Sequence, residues 1–120
     1  MKLTVKGELL SKSNSRIFRN FGGRPLLIKS PKAQQYIEEA LWQIKSQMGN
    51  HKMFEDPVKM DITVWYKTKR PDLDVSLIQD ILEKAGVYKN DRLVHEIVAR
   101  KRFDKDDPRL TVEVSLLEST

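Results

Sequence analysis

The most regular pattern of hydrophobic positions predicts a helix over residues 30–49. Ser30 is a favourable N-cap, Pro31 suits the first helical position, and Gly49 followed by Asn50 ends the pattern. The apolar residues recur every three or four positions and therefore form one stripe along the helix. They are Ala33, Tyr36, Ile37, Ala40, Leu41, Ile44 and Met48.

A second helical pattern covers residues 77–85, and Gly86 stands where a C-terminal glycine is expected. Elsewhere, hydrophobic and polar residues alternate or form short apolar segments, which predicts strands with one face towards a core. The predicted strands are residues 3–9, 58–66, 93–103 and 110–117.

Residues 11–25 are polar and contain glycine, so we interpret them as a loop, followed by a short strand over residues 26–29. The order of elements is strand, loop, helix, strand, helix, strand, strand. This order predicts an α+β fold in a single small domain over residues 1–120. We expect a mixed sheet of about four or five strands with two main helices packed on one face.

Composition excludes several classes of protein. The chain has 120 residues, enough for one domain, and it contains no cysteine. A disulfide scaffold, a cysteine nucleophile and a cysteine-based zinc site are therefore excluded. The longest stretch without a charged residue is residues 46–51, which is too short for a transmembrane helix. We expect a soluble, cytoplasmic protein that makes no use of a membrane.

Positive charge is concentrated at the N-terminal end. The formal net charge of the chain is +5, and the first 30 residues contain seven basic side chains and one acidic one, Glu8. This asymmetry indicates an anionic partner that contacts the N-terminal quarter, although ordinary solubilising charge is the alternative. The seven basic residues are Lys2, Lys6, Lys12, Arg16, Arg19, Arg24 and Lys29.

Two aspartates follow the predicted strand at residues 58–66. Pro71 holds the chain extended at this point, so Asp72 and Asp74 are expected to point the same way. Two neighbouring carboxylates repel each other unless a cation neutralises them, and Mg²⁺ is the usual hard divalent ion for such a pair. The alternative for Asp74 is a role as N-cap of the following helix.

A third candidate ligand, Asp91, comes after the second helix. Asp91 reaches the same pocket only if the intervening chain doubles back, and a turn at Asn90 and Asp91 is the alternative. His51 and His95 have no partner at metal-binding spacing, so a zinc centre is not expected.

Several segments together resemble the RusA-type Holliday junction resolvases, which are small phage- and prophage-associated endodeoxyribonucleases. The specific part is the Asp-Leu-Asp segment at residues 72–74, followed after a helix by the Asn-Asp-Arg segment at residues 90–92. The Ser/Asn/Arg-containing run at residues 11–16 and the segments at residues 80–82 and 84–87 agree in order and spacing. These segments span most of residues 7–117.

The resemblance implies a homodimer that binds branched DNA, namely a four-way junction, and cuts two opposed strands. It also implies Mg²⁺, with Mn²⁺ as a possible substitute, held by Asp72, Asp74 and Asp91. We expect contacts with backbone phosphates from a set of basic residues. They are Lys12, Arg16, Arg19, Arg24, Lys67 and Arg70.

The chain departs from the family pattern at two positions. Val75 stands where the family has asparagine, and Ile78 stands where it has a functionally important lysine. We expect Lys69 to supply the missing positive charge, with Lys67 and Lys101 as alternatives. The competing hypothesis is a module that binds branched DNA without cutting it.

Overall fold

The computed structural model describes residues 1–12 and 16–117, with side chains at all of these positions except 16, 18–21 and 24–27. The two long helices are α1 (Pro31–Met48) and α2 (Ser76–Ala85). A short 3₁₀ helix covers Asp91–Leu93. The strands are β1 (Lys2–Lys6), β2 (Arg16–Phe21), β3 (Arg24–Lys29), β4 (Val58–Tyr66), β5 (Val94–Phe103) and β6 (Arg109–Leu116).

Four strands form one mixed sheet in the order β1-β6-β4-β5. Strands β4 and β5 are parallel, whereas β6 pairs antiparallel with both β4 and β1. The parallel pair follows from the chain order, because α2 carries the chain back to the start of β4 before β5 begins. The prediction of an α+β fold with a mixed sheet and two main helices is confirmed.

The core lies between one face of the sheet and the two helices. Every second residue of β4 is buried, which matches the predicted alternation. Ser30 caps α1 through a hydrogen bond from the Ala33 N–H to its Oγ, at 3.1 Å. Gly86 ends α2 in the left-handed conformation. Within the described residues, neither helix is long and apolar enough to cross a bilayer.

The loop predicted over residues 11–25 is wrong from residue 16 onwards, and residues 13–15 lie outside the described part of the chain. Strands β2 and β3 form an antiparallel hairpin in which Phe21 pairs with Arg24. Gly22 and Gly23 both have positive φ, +58° and +83°, as the two central residues of a type I′ turn require. The two-residue Gly-Gly connection was the available signal, and the polar composition of the segment concealed it.

Strand β1 is shorter than predicted. It ends at Lys6, because Gly7 adopts a φ of +106° and turns the chain over the Tyr36 ring. Residues 8–12 then lie along the end of the sheet where β4 terminates. This turn brings Glu8 and Lys12 towards the aspartates that follow β4.

Candidate active site

The segment with Asp72 and Asp74 is attached to the core through Tyr66, the last residue of β4. The Tyr66 side chain is 2% exposed, and its hydroxyl donates to the Asp72 carbonyl at 3.2 Å. The backbone N–H of Asp74 also hydrogen-bonds this hydroxyl. Burial, followed by the nearby carboxylates, raises the pKa of Tyr66, so it remains a neutral donor at physiological pH. Tyr66 therefore fixes the backbone on both sides of Leu73.

The Asp74 carboxylate receives hydrogen bonds from two separate segments. Its Oδ1 accepts the Ser76 N–H at 2.9 Å, and its Oδ2 accepts the Lys12 N–H at 3.3 Å. The bond from Ser76 is the largest cause of a lowered Asp74 pKa. The alternative that Asp74 is the N-cap of α2 is wrong, because Val75 occupies that position. Asp74 instead holds the N–H of Ser76, the first residue of the helix, and lines the adjoining pocket with an ionised carboxylate.

Asp72 and Asp74 line the same pocket, which has a volume of about 400 Å³. Glu8 also lines it, and Glu8 Oε2 accepts the Lys67 N–H at 2.7 Å. The predicted shared face of the two aspartates is consistent with this arrangement. Sequence reasoning missed Glu8, because only the turn at Gly7 brings it to this end of the sheet.

Asp91 lies at the other end of the sheet. Val94 pairs with Val58 at the start of β4, whereas Phe103 pairs with Tyr66 at its end. The nine residue steps between Val94 and Phe103 span roughly 30 Å at about 3.3 Å per residue. Asp91 precedes this strand, so the length of β5 separates its end of the sheet from the end that holds the pocket.

The immediate surroundings of Asp91 also differ from those of the pocket. Its N–H donates to Glu83 Oε1 at 2.8 Å, and Asn90 caps the 3₁₀ helix by accepting the Arg92 N–H at 2.8 Å. Burial and then the carboxylates of Asp91, Glu83 and Asp80 raise the pKa of Tyr88.

The expectation that Asp91 joins the other two aspartates within one chain is therefore not met. Among residues 1–12 and 16–117, no three acidic, histidine or cysteine side chains are close enough to hold one metal ion. The reason is topological, because a parallel connection from β4 to β5 returns the chain to the opposite end of the sheet.

With this geometry established, the chain can be compared with known proteins. The family model described as "Endodeoxyribonuclease RusA" matches residues 7–115. The chain belongs to the RusA family of endodeoxyribonucleases. The crossover junction endodeoxyribonuclease RusA of Aquifex aeolicus (strain VF5) is 30% identical over 111 residues, covering 90% of this chain and 85% of that protein. The resemblance based on the Asp-Leu-Asp and Asn-Asp-Arg segments is confirmed.

The position at which the RusA pattern carries lysine is inside the core in this chain. Ile78 is fully buried in the first part of α2. A lysine ammonium at this position would lose its hydration without a partner, so a lysine does not fit here.

Several of the predicted basic residues lie near the pocket. Lys101 donates to the Lys69 carbonyl at 2.8 Å, and both ammonium groups lie within 6 Å of the Phe103 ring centroid. Lys67 is held through its backbone by Glu8, and Arg70 has an exposed side chain with its N–H on Thr68 Oγ1. Among the described residues, the lining of the pocket itself includes no basic side chain.

Lys12, which was predicted to contact DNA phosphates, makes contacts within the protein. Its ammonium pairs with Asp80 Oδ2 at 2.8 Å, while its backbone N–H holds Asp74. Arg16, Arg19 and Arg24 have their backbones in the β2–β3 hairpin, and their side chains lie outside the described part of the chain.

Asp72 and Asp74 fit a hard divalent cation. Both residues line one polar pocket, and Mg²⁺ in proteins is commonly held by one or two carboxylates with waters completing its shell. The hydrogen bond from Ser76 lowers the pKa of Asp74, so its carboxylate is ionised at neutral pH.

Proposed function

We propose that this RusA-family chain is a Mg²⁺-dependent endonuclease. In this proposal it binds four-way DNA junctions as a homodimer and cuts two opposed strands, in recombination and repair of cytoplasmic DNA. The observation that carries the proposal is that Asp72 and Asp74 line the same pocket, in a chain matched to the family over residues 7–115.

The metal site in the proposal uses Asp72 and Asp74 from the pocket. Mg²⁺ bound there would lower the pKa of a coordinated water and polarise the scissile phosphate, and Mn²⁺ would substitute for it. Asp91 stays in the proposal as an acidic residue needed for activity. We assign no bond to it within the pocket of its own chain, because it lies at the opposite end of β5.

The protein's own contribution is positioning and charge. Tyr66 holds the loop backbone, and the two hydrogen bonds to Asp74 orient its carboxylate. Attack of water on a phosphodiester increases negative charge on the phosphate oxygens, and a nearby cation lowers the energy of that transition state. We assign this role to Lys69, which lies with Lys101 on the same side of the loop.

DNA binding in the proposal is mainly electrostatic. The hairpin carries Arg16, Arg19 and Arg24, and it forms a two-stranded sheet separate from the four-stranded one. Together with Lys12, Lys67 and Arg70, these residues would contact phosphates on the arms of the junction. Such contacts give affinity that falls steeply with salt and reads little sequence.

The decisive experiment uses a synthetic four-way junction with labelled strands. The wild-type protein should produce symmetric nicks in Mg²⁺ and none in EDTA. Asp72→Asn should reduce the cleavage rate at least about 100-fold while the affinity for the junction stays within about two-fold, because one metal ligand is lost and the binding surface is kept. Asp106→Asn, in an exposed turn, is the matched control and should cleave normally.

The competing hypothesis predicts a different result. A non-catalytic module would bind the junction tightly and give no product in Mg²⁺ or Mn²⁺. The buried Ile78 in place of lysine is the observation that favours this alternative. Tight binding without nicks from the wild-type protein would replace the enzymatic proposal with this one.

A further inference from the structure

The two edges of the four-stranded sheet are finished in different ways. At the β1 edge, two glutamine side chains from α1 take the place of a further strand. Gln47 accepts the Thr4 N–H at 2.8 Å and donates to the Thr4 carbonyl at 2.6 Å. Gln43 likewise accepts the Lys6 N–H at 2.8 Å and donates to the Lys6 carbonyl at 3.3 Å. The outward backbone groups of Thr4 and Lys6 in β1 are therefore satisfied within the chain.

The β5 edge has no such cover among the described residues. The one side-chain hydrogen bond seen there is from Arg102 to the carbonyl of its neighbour Lys101. Strand β5 has ten residues, and the exposed fractions of three large apolar side chains are 41% for Ile97, 50% for Val98 and 47% for Phe103. Parallel strand pairs are usually buried, and long apolar edges readily pair with another strand.

The hydrogen-bond pattern shows which groups face outward. The Asp104 N–H donates to the Tyr66 carbonyl, so even-numbered residues of β5 bond to β4. The register against β4 shifts at His95, so the alternation holds from residue 96 onwards. The odd-numbered residues from 97 to 103 therefore direct their N–H and C=O groups to the free edge, and these four residues offer roughly eight hydrogen-bonding groups to an antiparallel strand.

The charges along β5 are complementary to those of a second, antiparallel β5. If Ala99 of one chain lies opposite Ala99 of the other, Glu96 of each chain lies opposite Arg102 of the other chain. Two such pairs form, related by the two-fold axis. Both side chains are on the open face of the sheet, where Arg100 already pairs with Asp61. Shifting the centre to Arg100 would place like charges opposite each other, which is destabilising.

We propose that two copies of this chain associate through antiparallel pairing of their β5 strands, centred on Ala99, to form one continuous eight-stranded sheet. The inference rests on the proposed homodimer and adds the surface that forms it. Glu96 and Arg102 are the residues that set the register. The pairing also covers the exposed side chains of Ile97 and Val98.

The first test is the dimer dissociation constant of the full chain, measured by analytical ultracentrifugation. Glu96→Arg and Arg102→Glu should each weaken the dimer at least about ten-fold, since like charges then lie opposite each other twice. The combined variant, Glu96→Arg with Arg102→Glu, should restore it. Glu113→Arg is the matched control on the same face, away from the edge, and should leave dimerisation unchanged.

The second test exploits the absence of native cysteine. Ala99→Cys should form an intermolecular disulfide under mild oxidation, because opposed residues in an antiparallel pair have Cα atoms about 4.5–5.5 Å apart. Lys45→Cys, exposed on α1, should not. Circular dichroism of each variant checks that the chain remains folded.

Two results would overturn the inference, and only one of them would also contradict the proposed homodimer. A wild-type protein that stays monomeric at all concentrations would also remove the proposed homodimer. A dimer that ignores the charge reversals and gives no Ala99→Cys disulfide would keep the homodimer and reject only the β5 surface.

Discussion

At the scale of single residues, two buried tyrosines differ in what their hydroxyl groups do. The Tyr66 hydroxyl bonds the loop that carries the aspartates. The Tyr36 hydroxyl is buried and has no hydrogen-bond partner within the described part of the chain. Burial also raises the pKa of Tyr36. The same side chain thus anchors a loop at one position and leaves a buried hydroxyl unpaired, within the described part of the chain, at the other.

The two tyrosine-to-phenylalanine variants should change stability in opposite directions. Tyr66→Phe should lower the free energy of unfolding by about 1 kcal/mol, since the Asp72 carbonyl loses its donor. Tyr36→Phe should raise it by about 1 kcal/mol, because an unpaired buried hydroxyl is removed. Urea denaturation measures both.

Cleavage assays separate positioning from stability. Tyr66→Phe should raise the Mg²⁺ concentration for half-maximal cleavage several-fold, whereas Tyr36→Phe should leave it unchanged. If both variants shift the Mg²⁺ dependence equally, Tyr66 has no specific role in positioning the loop.

The Asp74 carboxylate should contribute to stability in a pH-dependent way. Its pKa is lowered in the folded state, so its contribution is present above the unfolded pKa of about 3.9 and is lost as pH falls through the lower folded value. Asp74→Asn should cost about 1 kcal/mol at pH 7, a figure reduced for partial solvation. The difference from wild type should shrink below about pH 4.

Denaturation at a series of pH values measures this effect. Asp106→Asn is the control and should change stability by no more than about 0.5 kcal/mol at every pH. A destabilisation by Asp74→Asn that stays constant down to pH 3 would contradict the assignment to the ionised carboxylate.

At the scale of elements, the β2–β3 hairpin is separate from the four-stranded sheet. It carries three arginines and no acidic residue between Arg16 and Lys29. In the proposed function, a basic element of this kind is suited to follow the backbone of one DNA arm.

Replacing Arg16, Arg19 and Arg24 with glutamine should lower the affinity for the junction and should also make that affinity less dependent on salt concentration. The slope of log affinity against log salt should fall by about 0.9 for each arginine that contacts a duplex phosphate. Fluorescence anisotropy over a salt series measures both quantities.

The control for this triple variant removes the same charge elsewhere. Lys45, Lys59 and Lys105 are exposed and lie outside the hairpin, so their replacement with glutamine should change the slope less. Equal changes in the two triple variants would mean that net charge, rather than the hairpin, determines binding.

At the scale of the whole molecule, paired cutting requires two active sites in one particle. When wild-type protein is mixed with an excess of Asp72→Asn and allowed to exchange, most wild-type subunits will face an inactive partner. We expect a cruciform plasmid to give nicked circles with this mixture and linear product with wild type alone. Linear product in undiminished yield from the mixture would show that cutting does not need paired sites.

The helices and most of the sheet could be predicted because their signals are local. Ser30 and Gly86 mark helix ends through their own backbone preferences, and the alternation in β4 reflects which side chains must avoid water. Asp72 and Asp74 were found for the same reason, since Pro71 fixes the local chain direction. The β2–β3 hairpin had a local signal as well, in Gly22 and Gly23, but polar composition outweighed it.

Contacts between distant segments were beyond the reach of the sequence. Glu8 reaches the pocket through the turn at Gly7, and Lys12 meets both Asp74 and Asp80 across more than 60 residues of chain. Asp91 is the clearest case, because its place depends on whether β5 runs parallel or antiparallel to β4. Residue spacing carries no information on that direction.

By itself, the sequence determined most of the element types outside the β2–β3 hairpin, the apolar faces, the basic N-terminal quarter and the pair of aspartates after β4, because each depends on residues a few positions apart. Only the tertiary structure decided the strand order, the covered β1 edge, the open β5 edge and the separation of Asp91 from the pocket. These features depend on how the elements pack against one another. That packing is determined by how residues far apart in the sequence bury their apolar side chains in one core.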